Sequence, residues 1–355
     1  MTEVQLSSIF LDTNKSQPEI THAISSFGMR LTHSRVLVAC IRHERTLSSA
    51  AASSAPHLRR TPPSQSNQGR IDVPGVSHII AISSGKGGVG KSTVTVNIAA
   101  CLSLKHHLKV GILDADIFGP SIPTLMRLVG KQPAVDEELK QLIPLENYGI
   151  KCMSMGFLAP KDDAVVWRGP MVMSMLQQML RDVRWAPLDI LLIDLPPGTG
   201  DAQLTIAQRA SLSGAVVVCT PQDLALSVAM RGIAMFKKVE VPVLGIVENM
   251  SYYSCSECGH KDHVFGHGGA KAAAHRLGLP FLGEVPLTSI ICSRSDDGRP
   301  IVTAAATLKE GAVDPATAAI SLAFESITDS IVAKLKEIDQ KVASDGIGPK
   351  IVLTE

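Results

Sequence analysis

The sequence has few aromatic residues, almost no net charge and no long apolar run. Aromatic side chains make up 4% of its 355 residues, and the formal net charge is +1. No run approaches the roughly 20 consecutive apolar residues of a membrane-spanning helix. A near-neutral chain gives no support to nucleic-acid binding. The 7 cysteines do not resemble the disulfide framework of a small secreted domain. A thiol-preserving compartment is therefore expected.

Short apolar segments alternate with helical patterns from Val76 onward. The apolar segments are rich in β-branched residues, as strands buried on both faces are. Strands are predicted at 77–83, 108–113, 188–195, 215–220 and 243–247. Helices are predicted at 92–104, 171–184, 224–239, 270–277 and 318–342. This alternation predicts an α/β domain over residues 74–342, a three-layer fold with a doubly wound, mostly parallel sheet. The apolar stripe of the last helix is interpreted as core-facing, with peripheral membrane attachment as the alternative.

The first 73 residues differ in composition from the rest. Residues 20–71 contain seven arginines, no lysine and one acidic residue. A basic, hydroxyl-rich and acid-poor segment is typical of an organellar transit peptide, and "RLTHSRVLVACIRHER" predicts a basic amphipathic helix. The alternative is a disordered extension without a targeting role. Because three acidic residues precede Met29, a presequence that begins at Met29 fits better than one that begins at Met1. Residues 343–355 are expected to form a flexible tail.

The string "SSGKGGVGKST" follows the first predicted strand and opens the first long helix. It fits the phosphate-loop pattern GxxxxGK[ST]. Glycines let backbone N–H groups turn toward a phosphate, and the helix N-terminus adds its positive dipole end. Lys91 is predicted to face the β- and γ-phosphates of ATP, and Ser92 to bind Mg²⁺. The predicted nucleotide-binding residues of this loop are Gly85, Lys86, Gly87, Gly88, Val89, Gly90, Lys91, Ser92 and Thr93.

Lys86 is not required by the general phosphate-loop pattern. It could reach solvent, or it could reach a nucleotide held by a second copy of the chain. The string "GKGGVGK" resembles the deviant P-loop family of ATPases, the deviant Walker A type of P-loop NTPase. The resemblance implies that Lys86 acts across a homodimer that encloses the nucleotides. Lys86 and Lys91 are therefore both candidate catalytic residues.

Polar side chains follow several of the predicted strands. Asp114 and Asp116 come just after the second strand, at the edge where open α/β sheets bind ligands, and are candidate catalytic carboxylates that orient water. Asp194 ends an apolar strand, where an unpaired charge is costly, so it is predicted to partner Mg²⁺. Asn249, at the end of a strand in "VENM", is predicted to hydrogen-bond the adenine edge. Asp201 is predicted to cap a helix.

Several strings together resemble the Mrp/ApbC family of iron–sulfur carrier ATPases. They are "SSGKGGVGKST", "DADIFGPS", "MSMGF", "WRGPM", "DLPPGTGD", "TPQD", "ENMSYYSCSECGH" and "FGHGGA". The arginine-rich leader and "VVWRGPMVMSMLQQML" are most similar to the mitochondrial branch of that family, which serves respiratory complex I. The resemblance implies a carrier in the mitochondrial matrix that binds ATP and Mg²⁺ and hydrolyses ATP slowly. It also implies delivery of a [4Fe–4S] cluster to apoproteins, with complex I subunits among the recipients.

Cys255 and Cys258 form a CxxC motif in a polar segment. Two thiolates are half of the four ligands that a tetrahedral zinc site or a cubane cluster needs. The family resemblance implies that these cysteines of two subunits jointly hold one [4Fe–4S] cluster. The alternative is a single-chain zinc site completed by His260 and His263. One residue between Cys258 and His260 leaves little chain to wrap a tetrahedron.

The remaining cysteines are weaker candidates for a role. Cys101, Cys152 and Cys219 lie in apolar patterns and are predicted to be buried thiols. Cys40 lies in the leader, and Cys292, near a predicted loop, has no assigned role.

Two other functions are alternatives to the carrier. The first is a partition-like ATPase, which should have a basic membrane tail or a nucleic-acid patch, and the sequence shows neither. The second is a nucleotide-binding module with a structural zinc site.

Overall fold

The computed structural model describes residues 70–117, 119–158, 169–255, 258–307 and 314–344. Outside these residues lie the predicted leader helix, Cys40, Trp167 and Arg168 of the "WRGPM" string, and the tail beyond Ser344. The strands are β1 (Val76–Ser84), β2 (Val110–Asp114), β3 (Ala134–Asp136), β4 (Gln141–Ile143), β5 (Leu145–Asn147), β6 (Ile150–Ser154), β7 (Leu188–Asp194), β8 (Gly214–Cys219), β9 (Val243–Ser254), β10 (Lys261–Asp262) and β11 (Phe281–Leu287). The α-helices are α1 (Lys91–Leu104), α2 (Ile122–Leu125), α3 (Gly169–Arg181), α4 (Asp201–Arg209), α5 (Asp223–Lys238), α6 (Gly269–Leu277), α7 (Ser289–Asp296), α8 (Ile301–Thr307) and α9 (Pro315–Ser344).

Nine of the described strands form one sheet. Its order is β10-β9-β8-β1-β7-β2-β6-β5, with β11 also paired to β9. The central strands pair in parallel, whereas β5 and β10 pair antiparallel with their neighbours. The predicted α/β class with a mostly parallel sheet is confirmed. Because parallel strands share one carboxyl edge, Asp114 of β2 and Asp194 of β7 are register partners there.

The helices pack against the sheet and against one another. In one set, α1 contacts α2, α8 and α9; elsewhere α3 contacts α4, and α5 contacts α6. Every residue of β2 and of β8 is buried, as is required of strands covered on both faces. The core also includes Ile71, which is 3% exposed and bridges to Ala210. Core packing therefore begins before the predicted domain boundary at residue 74.

Helix α9 carries the apolar stripe for which two interpretations were open. By length and composition it is the one helix among the described residues that is long and apolar enough to cross a membrane. Its Phe324, Ile327 and Ile331 are all 0% exposed, and the helix packs against β11, α8 and α1. The stripe therefore faces the core of the domain.

Several elements differ from the sequence prediction. Strand β9 was predicted to end at Val247 but continues to Ser254, because β11 pairs with it as far as Tyr253 and β10 adds an antiparallel partner. Strand β11 itself, "FLGEVPL", was not predicted, since glycine, glutamate and proline interrupt its apolar residues. Strands β3 to β6 and β10, and helices α2, α7 and α8, were also not predicted. The predicted capping role of Asp201 is wrong, because Gly200 is the N-cap and Asp201 is the first helical residue.

Candidate nucleotide site and cysteine hairpin

The phosphate loop joins β1 to α1 and depends on glycine at defined positions. Gly88 and Gly90 have φ values of +77° and +80°, in the left-handed region that favours glycine. A Cβ atom at Gly90 would lie 2.2 Å from the side-chain nitrogen of Asn249, whereas one at Gly88 would meet no atom within 4 Å. A Cβ atom at Gly85 would lie 2.6 Å from backbone atoms of Val228 and Ala229. Close packing therefore excludes side chains at the first and last glycines.

A buried polar cluster lies at the start of α1. The Nζ atom of Lys91 is 2.7 Å from Oδ2 of Asp194, and the two side chains are 6% and 0% exposed. Ser92 Oγ donates to the same oxygen at 2.6 Å, and Thr95 Oγ1 donates to Oδ1 at 2.7 Å. Both carboxylate oxygens thus have partners, as a buried charge requires. The structure brings together the residue predicted to bind phosphate and the two predicted to bind Mg²⁺.

Asp114 lies beside this cluster on the neighbouring strand. It accepts hydrogen bonds from the Asp116 N–H at 3.1 Å, the Ile122 N–H at 3.2 Å and Ser154 Oγ at 3.0 Å. Burial, with the nearby charge of Asp194, raises the pKa of Asp114 to about 7. The two predicted catalytic carboxylates therefore differ in environment. Asp116 lines the cavity described next, whereas Asp114 holds the backbone of the loop that carries Asp116.

A cavity of about 640 Å³ lies over the phosphate loop. Its lining includes Lys86, Lys91 and Ser92 of the loop, together with Asp116 and residues of the 286–296 segment. This volume is in the range of small-ligand sites. The 286–296 segment, which spans the end of β11 and all of α7, was not predicted as part of the site, because its residues carry no local motif.

Two residues in the cavity wall have positions that the sequence did not predict. Asn249 is 6% exposed, and its Nδ2 donates to the Val89 carbonyl at 2.8 Å, so it braces the phosphate loop. Its contact with adenine stays a prediction. Cys292, which had no assigned role, is exposed on α7 and lines the cavity. A nucleotide in this cavity would therefore lie next to a thiol.

Cys255 and Cys258 lie at the turn of a β-hairpin rather than in an isolated polar loop. Strands β9 and β10 form its arms, with Ser254 paired to Lys261. Across the turn, the Gly259 N–H donates to the Cys255 carbonyl at 2.9 Å. Cys255 is half-buried and Cys258 is exposed. The hairpin therefore carries the CxxC motif at its tip.

The four residues of the zinc alternative are not assembled into a metal site. The His263 Nδ1 atom donates to the Ser251 carbonyl at 3.1 Å, and its ring lies edge-on to the rings of Tyr252 and His267. In the described part of the chain, no group of three or more His, Cys, Asp and Glu side chains is placed to hold a metal ion. The contact of His263 with Ser251 directs that histidine toward the base of the hairpin.

The three cysteines predicted to be buried are buried. Burial raises the pKa of Cys101 and of Cys219 to about 12, and it also raises the pKa of Cys152. A thiol with so high a pKa is almost never the reactive thiolate near neutral pH. These three residues are therefore packing elements of the core.

The fold and this site define a P-loop NTPase. A glycine-rich loop joins a strand to a helix, and Lys91, Ser92 and Asp194 meet at the carboxyl edge of a parallel sheet. Residues 75–321 match the family described as ParA: NUBPL iron-transfer P-loop NTPase. The chain belongs to this family, and the resemblance drawn from the motifs is confirmed.

Similar proteins include curated relatives and solved structures. The chain is 50% identical over 285 residues to the iron–sulfur cluster transfer protein NUBPL of Dictyostelium discoideum, covering 80% of this chain and 85% of that protein. It is 50% identical over 264 residues to the mitochondrial iron–sulfur protein of Arabidopsis thaliana that is required for NADH dehydrogenase, and the match covers 74% of this chain and 80% of that protein. The nucleotide-binding protein of Archaeoglobus fulgidus, solved in complex with ADP, is 43% identical with a TM-score of 0.57, covering 64% and 89%.

Proposed function

We propose that this chain is an ATP-binding carrier that delivers a [4Fe–4S] cluster to apoproteins, with subunits of respiratory complex I among the recipients. The observation that carries the proposal is a CxxC hairpin, with one exposed cysteine, on the scaffold of a P-loop NTPase. The names of the relatives from Dictyostelium and Arabidopsis, which refer to iron–sulfur transfer and to mitochondrial NADH dehydrogenase, support it. The proposed location is the mitochondrial matrix.

The nucleotide is proposed to be ATP, with its phosphates on the loop between β1 and α1. The loop N–H groups and Lys91 would bind the β- and γ-phosphates, since both supply positive charge at a helix N-terminus. Ser92 and Asp194 would hold Mg²⁺, because they offer hard oxygen donors 2.6 Å apart. The ion would neutralise phosphate charge. Asp116, in the cavity lining, is the carboxylate best placed to orient water for slow ATP hydrolysis.

The active form is proposed to be a homodimer. Lys86 lines the cavity and is exposed, so it can also face a second copy of the chain. One chain offers two spaced thiolates, Cys255 and Cys258, whereas a cubane cluster needs four thiolate ligands. Two chains would supply all of them. The cluster is cargo in this scheme, held between subunits until a recipient accepts it.

Iron analysis of anaerobically reconstituted protein tests this proposal. Wild-type protein should hold about four iron and four sulfide per dimer, and cluster loading should convert monomers to dimers. Cys255→Ser and Cys258→Ser should each remove both the iron and the dimer while ATP binding persists. Cys292→Ser is the matched control, because Cys292 is exposed but lies on α7, outside the hairpin. A monomer that holds one zinc, lost in His260→Ala or His263→Ala, would contradict the carrier proposal.

Transfer and location need separate measurements. Loaded protein should pass its cluster to an apo complex I subunit. The transfer is measured as the cluster absorbance of the recipient after the two proteins are separated.

For the proposed leader, residues 29–69 fused to a fluorescent reporter should direct the reporter to mitochondria, because most of the arginines lie there. Residues 1–27 should not. A cytosolic reporter in the first fusion would refute the targeting proposal alone.

A further inference from the structure

Strand β9 contacts the phosphate loop and continues to the cysteine hairpin. Asn249, in the middle of the strand, donates to the Val89 carbonyl of the loop at 2.8 Å. Cys255 follows the last residue of the same strand. Six residues of strand span about 20 Å. The two proposed binding sites are therefore connected by one segment of backbone that contacts the first and carries the second.

This segment contains an irregularity directly beside the phosphate loop. Met250 has φ +56°, a left-handed conformation that is costly for residues other than glycine. The pairing of β9 with β11 shifts register at the same place, between Val285 and Leu287. Met250 also lines the nucleotide cavity. A strained conformation of this kind persists only where the surrounding contacts hold it.

Glu248 supplies those contacts. Its side chain is 0% exposed. One carboxylate oxygen accepts from Ser251 Oγ at 2.8 Å, across the irregular residue, and the other accepts from the Ala270 N–H at 2.7 Å in the first turn of α6. Ser251 in turn accepts, through its carbonyl, the hydrogen bond from His263 on the far side of the hairpin. Glu248 thus ties the strand, the helix that follows the hairpin and the base of the hairpin together.

We propose that Glu248 is a positioning residue that couples nucleotide binding at the phosphate loop to cluster binding at the hairpin. The inference rests on the proposed carrier function. A shift of the phosphate loop displaces Asn249, because Gly90 and the side-chain amide of Asn249 pack so closely that not even a Cβ atom fits between them. The Glu248–Ser251 hydrogen bond passes that shift to the hairpin. Because coupling between two sites is reciprocal, cluster loading must change nucleotide affinity by the same factor as nucleotide changes cluster affinity.

The test compares the dissociation constants of a non-hydrolysable ATP analogue for apo and cluster-loaded protein. In wild-type protein the two constants should differ by about fivefold or more. Ser251→Ala should bring their ratio close to one while each site still binds its own ligand. Glu248→Gln should keep the wild-type ratio, because its amide nitrogen can donate to Ser251 and its oxygen can accept from Ala270. Glu248→Ala should behave like Ser251→Ala.

A matched control removes an equivalent buried hydroxyl elsewhere. Thr328 is 0% exposed on α9 and donates to the Phe324 carbonyl at 2.8 Å, so Thr328→Ala should leave the ratio at its wild-type value. If Glu248→Ala does not fold, Ser251→Ala decides the question. A ratio of one in wild-type protein, or a wild-type ratio in Ser251→Ala, would overturn the coupling. Wild-type protein that holds no cluster would instead refute the proposed function, before any ratio is measured.

Discussion

The ammonium group of Lys91 lies 2.7 Å from a carboxylate oxygen of Asp194, and the two side chains are 6% and 0% exposed. Removing one partner of a buried ion pair leaves the other charge uncompensated. Lys91 therefore has two roles that can be separated by experiment. It holds Asp194 in the protein as described, and it is proposed to bind nucleotide phosphates.

Lys91→Ala should abolish nucleotide binding and lower the free energy of unfolding by about 3 kcal/mol. Adding Asp194→Asn should restore much of the stability but not the binding, because the uncompensated charge is gone while the phosphate partner is still missing. Denaturant unfolding and calorimetric titration with ATP measure the two effects. Lys86→Ala is the control, since Lys86 is exposed. Its free energy of unfolding and the affinity of the monomer for ATP should stay at wild-type values, while the rate of ATP hydrolysis falls. Equal loss of ATP affinity in both lysine variants would contradict the proposed action of Lys86 across the dimer.

Gly90→Ala should weaken nucleotide binding more than Gly88→Ala does. Both glycines are left-handed, so each substitution carries a similar backbone cost of about 1–2 kcal/mol. At Gly90 the added Cβ also displaces Asn249, whose hydrogen bond to Val89 is worth about 1 kcal/mol. Nucleotide titration and thermal unfolding of both variants provide the comparison. Identical affinities would show that the Asn249 contact has no effect on the loop.

Asp114→Asn should change how stability depends on pH. Folding raises the pKa of Asp114 from its ordinary value of 3.8 to about 7, through burial and the charge of Asp194. Between these values the folded state keeps a proton that the unfolded state releases, so this group lowers the free energy of unfolding as pH rises, up to about 7. Asparagine does not titrate. The stability of the variant relative to wild type should therefore rise from pH 4 to pH 7, measured by denaturant unfolding, and a constant difference would contradict the shifted pKa.

ATP should protect Cys292 from alkylation, because this exposed thiol lines the nucleotide cavity. The rate of modification at Cys292, followed by mass spectrometry of its peptide, should fall when ATP saturates the protein. Cys258 in the apo protein is the internal control, since it is exposed on the hairpin and its rate should change much less. An unchanged rate at Cys292 would place the nucleotide away from α7.

Local patterns were sufficient for the elements with continuous apolar residues. The strands β1, β2, β7 and β8 were predicted within two residues at each end, because residues buried on both faces of a parallel sheet are apolar nearly throughout. The same reasoning failed for β11, where Gly283, Glu284 and Pro286 interrupt the pattern. It also ended β9 too early, since its last residues are polar and are strand only because β10 and β11 pair with them.

The sequence by itself determined the phosphate loop, the family and the buried thiols, because each of these depends on neighbouring residues in a short string. Only the tertiary structure decided which distant residues meet. Ser92 and Asp194 are 102 positions apart, and Asn249 and Val89 are 160 apart, yet both pairs are hydrogen-bonded. The physical reason is the parallel sheet, which brings the carboxyl ends of strands from remote parts of the chain to one edge. No local pattern specifies which strands become neighbours, so the partners of Asp194 and Asn249, and the position of Cys292 in the cavity wall, could be read only from the fold.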